Sequence, residues 1–262
     1  MTKLTVCANI DWTAEEPSTA ILLVRVADLV DQRLGDEYLE VDNAEVEDPE
    51  PRGDDGARSL RLHTAAGLVR LRYQATVEVG LEQPGPRATK TLPTLGELDL
   101  SLLSWTLPSR YCPSDVLAPT AQYLFGDAPR TSDLLEQVRS WVETNIAYVP
   151  GASDVHTAAD ETMLRRVGVC RDLAHLTATL LRALGVPARL VSTYALYLEP
   201  PDFHAVVEAH DGCAWRLLDA TGLAPVDTLV RIATGRDAVD IAWGTTEGPL
   251  NVDYIDVAVT RA

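Results

Sequence analysis

A cysteine, a histidine and an aspartate occur in the order and local contexts that thiol catalysis requires. Cys170 follows Gly168 and opens an apolar segment in which leucines recur at helical spacing until Gly185 and Pro187 end it. The thiol is therefore predicted in the first turn of a helix, where unpaired backbone N–H groups and the positive end of the helix dipole favour a thiolate. We interpret Cys170 as a candidate nucleophile.

The same cysteine also has a simpler interpretation. Cysteine is among the residue types most often buried, and an apolar helix start can hold one without any chemistry. A nucleophilic role for Cys170 therefore depends on partners elsewhere in the chain.

Two polar residues in later segments can supply those partners. His204 begins an apolar, strand-like segment and Asp219 ends the next one, and residues 210–213 between them predict a hairpin turn. With the turn centred on Asp211 and Gly212, His204 and Asp219 lie at about equal distances from it. We expect the two residues side by side on antiparallel strands, with the Asp219 carboxylate orienting the imidazole towards Cys170.

The elements that must position these residues change in type along the chain. Residues up to about 83 predict antiparallel strands, most clearly Gly67–Val79, where apolar and polar side chains alternate. Such strands predict a small β-sandwich, and the Gln-Pro-Gly-Pro-Arg segment at 83–87 is the candidate linker. We therefore predict an N-terminal β-sandwich domain over 1–87 and a catalytic domain over 88–262.

The second part of the chain predicts helices followed by strands, which is an α+β arrangement. Apolar stripes and turn residues predict helices at 117–125, 134–146 and 157–167 and from Cys170 to Gly185, then strands at 188–198, 203–209 and 213–220, a short helix at 227–235 and a last strand at 254–259, within the predicted catalytic domain.

Three spaced motifs resemble the bacterial transglutaminase-like proteins, which are papain-like thiol enzymes of the transglutaminase-core superfamily. The motifs are Gly168-Val-Cys-Arg-Asp-Leu-Ala-His175, Leu181-Arg-Ala-Leu-Gly-Val-Pro-Ala-Arg189, and His204-Ala together with Trp215-Arg-Leu-Leu-Asp-Ala-Thr221. The resemblance spans most of the chain, and the β-rich N-terminus is similar to the domain that often precedes the core. It implies a papain-like catalytic domain with helices packed on an antiparallel sheet.

Carried over residue by residue, the resemblance implies that Cys170 is the nucleophile, His204 the general base and acid, and Asp219 the orienting acid. The implied reaction is attack on the carboxamide of a peptide or protein side chain to give a thioester, which water or another amine then releases. We favour hydrolysis over cross-linking, because a transglutaminase must exclude water and the sequence shows no dedicated amine site. The alternative is a non-catalytic peptide-binding or assembly module on the same fold.

Other residues near the motifs have more than one interpretation. Backbone N–H groups at the helix start are expected to form part of an oxyanion hole, and Tyr148 either adds a side-chain donor or is an ordinary core tyrosine. His175 is interpreted as a packing or hydrogen-bonding residue rather than a second base. Val206 stands where the family commonly has an aromatic residue, and Ala220 where it commonly has proline. Both departures concern the substrate cleft.

Composition restricts partners and location. The formal net charge of −17 leaves no surplus of cations for a nucleic acid or an anionic membrane. The sequence shows neither a secretory signal nor an apolar run long enough for a membrane span, and its four cysteines are scattered. We expect a soluble, cytoplasmic protein that acts on a peptide or protein. No metal or organic cofactor is implied, and the sequence does not indicate an oligomeric state.

Overall fold

The structure is a computed structural model that describes residues 2–48, 56–80, 89–248 and 251–262. The helices are α1 (Ala118–Phe125), α2 (Asp133–Asn145), α3 (Ala159–Arg165), α4 (Cys170–Ala183) and α5 (Ala238–Ile241). The strands are β1 (Thr2–Ala14), β2 (Ser18–Leu22), β3 (Gln32–Asp42), β4 (Ala44–Glu47), β5 (Leu60–Thr64), β6 (Gly67–Val79), β7 (Ala147–Tyr148), β8 (Val167–Gly168), β9 (Ala188–Tyr194), β10 (His204–His210), β11 (Trp215–Leu218), β12 (Val230–Gly235), β13 (Gly244–Thr246) and β14 (Asn251–Arg261). Within the described ranges, no helix combines the length and apolar character needed to cross a bilayer.

Two four-stranded antiparallel sheets form the N-terminal sandwich. Their strand orders are β14-β1-β6-β3 and β13-β2-β5-β4. Alternate residues of β1 and β6 are buried, and the inward side chains of the two sheets, such as Leu4 and Leu62, belong to one apolar core. The strand predicted from the alternation of apolar and polar residues at Gly67–Val79 is β6, with the same bounds. The predicted α+β fold with an antiparallel β-sandwich is confirmed.

The last strand joins the sandwich rather than a sheet of the predicted catalytic domain. β14 pairs with β1 from Leu4 opposite Arg261 to Thr13 opposite Asn251, and β13 pairs with β2. The strand predicted at 254–259 is confirmed, but its assignment to the catalytic domain is wrong. The physical reason is that β6 covers only one edge of β1, and β14 supplies hydrogen bonds to the other edge while burying Val257. The predicted linker at 83–87 lies outside the described residues, so the domain division at residue 87 stays a prediction.

A third antiparallel sheet, in the order β11-β10-β9-β12, carries the candidate site. α4 packs against β9 and β10 and is surrounded by α1, α2 and α3, which is why its residues from Asp172 to Arg182 are buried on every face. The prediction of a short helix at 227–235 is wrong, because residues 230–235 form β12, which pairs with β9. Five of the six residues of β12 are buried, so the segment lacks the alternation that identifies a half-exposed strand.

Candidate active site

Cys170 is the first residue of α4, and two short strands bring the chain to that point. β7 and β8 pair in parallel, with Tyr148 opposite Gly168. A Cβ atom added to Gly168 would lie 2.8 Å from the Cβ atom of Asp172, so glycine permits the close approach of the backbone to the helix start. The thiol of Cys170 is partly buried and lines a cavity. The predicted placement of this cysteine at a helix start is confirmed.

Asp172 holds the first turn of α4 in place. Its fully buried carboxylate accepts a hydrogen bond from the backbone N–H of Val169 at 2.9 Å and another from the hydroxyl of Ser153. The guanidinium of Arg171 pairs with the same carboxylate at 3.0 Å. The N–H groups of Cys170 and Arg171 lie in the first helical turn, where no intrahelical carbonyl can accept them. These two groups are therefore available to acceptors outside the helix.

His204 and Asp219 form a buried pair. Nε2 of His204 lies 3.0 Å from Oδ2 of Asp219, and both side chains are 1% exposed. The other carboxylate oxygen of Asp219 accepts hydrogen bonds from the backbone N–H of Thr221 at 2.8 Å and from its hydroxyl at 2.7 Å. The carboxylate is therefore fixed from two sides, and it holds the imidazole in one orientation.

The two strands bring this pair together in a register different from the predicted one. β10 and β11 pair antiparallel, with Val207 opposite Leu218, so the continued register places Asp219 opposite Val206 and diagonal to His204. The turn is centred one residue later than predicted, because the carboxylate of Asp211 accepts the N–H groups of residues 213 and 214 at 2.9 Å each. This shifts the pairing by two positions, which leaves both side chains on the same face of the sheet.

The second ring nitrogen of His204 faces the cysteine side of the site. Nδ1 is buried and has no hydrogen-bond partner among the described residues, and Cys170 lines the same cavity as His204. Burial alone lowers the pKa of His204, but hydrogen bonding to Asp219 and the interaction with the Cys170 thiol raise it to about 9. The imidazole is therefore protonated at neutral pH, which is the state that stabilises a thiolate.

The Asp219 carboxylate is ionised in this arrangement. Burial raises the pKa of Asp219, but its hydrogen bonds from His204 and Thr221 and the charge of the imidazole hold that pKa below its usual value. An ionised carboxylate behind a protonated imidazole is the electrostatic arrangement that keeps the proton on the ring.

Tyr148 lies at the surface beside the nucleophile and not in the core. Its side chain belongs to β7 and the residue is 36% exposed. Burial, then electrostatic interactions with Cys170 and Asp202, raise the pKa of the Tyr148 hydroxyl. The phenol therefore keeps its proton, and it lies near enough to Cys170 to interact with it electrostatically.

His175 does not contribute to this group of residues. Its ring is fully buried and stacks on Tyr111 with 5.2 Å between ring centroids, and Nε2 accepts a hydrogen bond from the backbone N–H of Ala238 at 3.1 Å. Burial lowers the pKa of His175 to about 3, so the ring is neutral. These contacts agree with the predicted packing and hydrogen-bonding role.

The other cysteines occupy environments unlike that of Cys170. Burial raises the pKa of the Cys7 and Cys112 thiols, and Cys213 is exposed in the turn between β10 and β11. Within the described ranges, no group of three or more His, Cys, Asp or Glu side chains is placed to hold a metal ion.

Several residues of the site were not predicted from the sequence. The capping of the helix start by Asp172 was not predicted, although it could have been inferred from the position of Asp172 three residues after Val169. Leu23 lines the cavity from the sandwich side. No local pattern could have identified it, because its neighbours at the site are distant in the chain.

The fold and sequence were compared with those of known proteins. A model of the transglutaminase-like superfamily matches residues 119–220, a range that contains Cys170, His204 and Asp219. The crystal structure of a candidate cysteine protease from Cytophaga hutchinsonii is similar with a TM-score of 0.90 and 33% identity, covering 99% of this chain and 90% of that one.

Curated relatives match a shorter part of the chain. An uncharacterized protein of Mycobacterium leprae is 30% identical over 113 residues, which are 39% of this chain and 39% of the relative. A second uncharacterized protein, from Mycobacterium tuberculosis, is 32% identical over 83 residues, which are 32% of this chain and 26% of the relative. The matched part thus spans two fifths or less of these relatives. Because it is similar to the Cytophaga protein over nearly its full length and matches the superfamily model at 119–220, the chain belongs to the transglutaminase-like superfamily.

Proposed function

We propose that this protein is a cysteine hydrolase that cleaves amide bonds of peptides or protein side chains through a thioester on Cys170. The observation that carries the proposal is the 3.0 Å hydrogen bond between His204 and Asp219, which leaves the other imidazole nitrogen unpaired in the cavity that Cys170 also lines. A helix-start thiol, an imidazole and an ionised carboxylate in this order are the groups that nucleophilic catalysis by cysteine needs.

Acylation begins with the thiolate of Cys170 and the imidazolium of His204. The sulfur attacks the carbonyl carbon, a C–S bond forms and the carbonyl π electrons move to oxygen. When the tetrahedral intermediate collapses, the C–N bond breaks and the leaving nitrogen takes the proton of His204. The products of this half-reaction are a free amine and a thioester, and His204 is neutral.

Hydrolysis of the thioester restores the starting state. Neutral His204 removes a proton from water, the hydroxide oxygen bonds to the thioester carbon and the C–S bond then breaks. The carboxylic acid departs, sulfur leaves as the thiolate and His204 is again the imidazolium. Asp219 keeps its charge throughout and stabilises the imidazolium.

The oxyanion of both tetrahedral intermediates needs hydrogen-bond donors. The N–H groups of Cys170 and Arg171 at the start of α4 are suitable because they lack intrahelical acceptors. The protonated phenol of Tyr148, which is partly exposed beside Cys170, is the proposed side-chain donor.

Hydrolysis is favoured over transfer to an amine because the cavity is open to water. Its rim residues Val155 and Val239 are 66% and 58% exposed, so the thioester is accessible to solvent. We also propose the cytoplasm as the compartment, since the four cysteines all lie in described parts of the chain and are free, and the nucleophile must stay reduced.

Two measurements test the proposed function. The first is alkylation by iodoacetamide at pH 7, with the modified cysteines identified by mass spectrometry. Cys170 is expected to react faster than Cys213, the exposed thiol that serves as the matched control. If Cys170 reacts no faster than Cys213, its thiol is not activated and the proposal is wrong.

The second measurement is turnover of a peptide library derived from a digested proteome. New peptide ends or deamidated side chains are expected with the wild type and the Cys213→Ala control, and not with Cys170→Ala. Retention of bound peptides by both the wild type and Cys170→Ala, with no product from either, would instead support the peptide-binding module.

A further inference from the structure

A cavity of about 440 Å³ extends from the nucleophile towards the sandwich. This volume is within the range of about 300–1,000 Å³ that is usual for sites that enclose a small ligand. Cys170 and His204 both line the cavity. A group of the substrate that fills it is therefore close to the reacting carbonyl.

Most of the remaining lining of the cavity is apolar. The apolar walls include Leu23, Phe203, Ile232, Val239, Ile241 and Trp243. The rings of Phe203 and Trp243 stack with 6.2 Å between centroids and 19° between planes. Ile232 is 1% exposed and Ile241 is 5% exposed, so these side chains are held by packing. These walls offer dispersion contacts rather than hydrogen bonds.

The sandwich supplies part of this wall. The backbone N–H of Leu23 donates to the carbonyl of Trp243 at 2.9 Å, and the adjoining residues Leu22 and Gly244 are paired between β2 and β13. The position of the indole is thereby linked to the N-terminal sheets. The shape of the cavity depends on both parts of the chain.

Apart from the reacting groups Cys170 and His204, the described lining offers little to pair with a charged side chain. Among the described residues that line it there is no Asp, Glu or Lys, although the chain has 39 acidic residues. The lining guanidinium, that of Arg171, is already paired with Asp172 at 3.0 Å. A lysine or glutamate side chain packed against the apolar walls would lose part of its hydration, whereas an apolar side chain would gain from leaving water.

We propose that one of the three residues before the scissile carbonyl of the acyl donor carries a large, uncharged apolar side chain, of leucine or phenylalanine size, and that this cavity binds it. The inference rests on the proposed function and specifies its substrate class. Selection arises from the apolar walls, and the sandwich takes part in it through Leu23 and Trp243.

A series of peptidyl chloromethyl ketones tests this inference. The reagents differ at a single position, occupied by phenylalanine, leucine, alanine, lysine or glutamate, and the position is scanned over the three residues before the ketone. For each ketone, the rate at which it alkylates Cys170 is divided by the rate at which iodoacetamide, which carries no amino-acid side chain, alkylates the same residue. At one position, phenylalanine and leucine are expected to react about tenfold or more faster than alanine, lysine and glutamate.

A rim variant tests the charge argument. Val239 is 58% exposed at the cavity rim and belongs to the first turn of α5, where an acidic side chain is tolerated. Val239→Glu is expected to raise the rate for the lysine reagent relative to the phenylalanine reagent several-fold. Val116→Glu is the matched control, because Val116 is 60% exposed and does not line the cavity; it is expected to leave the ratio unchanged.

The possible outcomes separate the two proposals. Equal rates for all reagents, or a preference for a charged one, would overturn the substrate class while selective alkylation of Cys170 by iodoacetamide leaves the proposed function intact. If Cys170 reacts no faster than Cys213 with iodoacetamide and with every ketone, the proposed function fails and the substrate class fails with it.

Discussion

The carboxylate of Asp172 accepts a hydrogen bond from the backbone N–H of Val169 at 2.9 Å, and this contact closes the first turn of the helix that begins with Cys170. The same carboxylate is fully buried and also binds the hydroxyl of Ser153. It thus ties the loop after β7 to the helix start. The position of the sulfur depends on a residue that takes no part in the proposed chemistry.

Replacement of Asp172 by alanine is expected to destabilise the protein. Arg171 would lose its buried counterion and the N–H of Val169 its acceptor, so we expect the free energy of unfolding to fall by about 1–3 kcal/mol. Denaturant titration measures the change. Asp160→Ala is the control, because Asp160 is an exposed residue in the first turn of α3 and its loss is expected to cost about 0.5 kcal/mol. Equal losses for the two variants would contradict the capping role of Asp172.

The pH dependence of peptide cleavage is expected to report the state of His204. The pKa of His204 is raised to about 9, so the imidazolium that protonates the leaving nitrogen is present at neutral pH and is lost as the pH rises through about 9. The value of kcat/KM is therefore expected to fall on the alkaline side near pH 9 in the wild type.

Asp219→Asn is expected to move that alkaline limb to lower pH. The amide removes the charge that helps to keep the proton on His204, so the pKa should return towards the ordinary value of about 6.5. The maximum of kcat/KM is expected to fall by about 10²–10⁴. Full pH profiles of both proteins measure the shift. An alkaline limb that stays in place in Asp219→Asn would show that this carboxylate does not set the proton affinity of the ring.

Tyr148→Phe is expected to lower kcat about a hundredfold and to change KM little, because a donor to the oxyanion acts in the transition state. The rate of Cys170 alkylation by iodoacetamide should change by less than about twofold, because no oxyanion forms in that reaction. Tyr123→Phe is the control, with a side chain that is 89% exposed. A KM effect alone would assign Tyr148 to substrate binding instead.

The placement of the last strand is open to a stability test. Val257 of β14 is 2% exposed and faces the sandwich core, whereas Val252 of the same strand is 40% exposed. Val257→Ala is expected to lower the free energy of unfolding by about 2 kcal/mol, and Val252→Ala by less than about 0.5 kcal/mol. Similar small effects at both positions would mean that β14 does not complete the sandwich core.

Local features of the sequence were sufficient to predict the elements that carry the proposed catalytic residues. Helical spacing of leucines and the Gly-Val-Pro end of the segment predicted α4, which runs from Cys170 to Ala183. The turn at 210–213 predicted the antiparallel pairing that brings His204 near Asp219. These predictions succeeded because helix periodicity and turn chemistry depend on residues that are neighbours in the chain.

Only the tertiary structure determined the features that depend on pairing and packing between residues distant in the chain. The exact register at Asp219 followed from the hydrogen bonds that Asp211 makes across the turn. The position of β14 beside β1 pairs residues as distant as Thr5 and Thr260, and the apolar wall at Cys170 includes Leu23. Such contacts depend on which strand edges and apolar surfaces remain uncovered after the local elements have formed, and no sequence window contains that information.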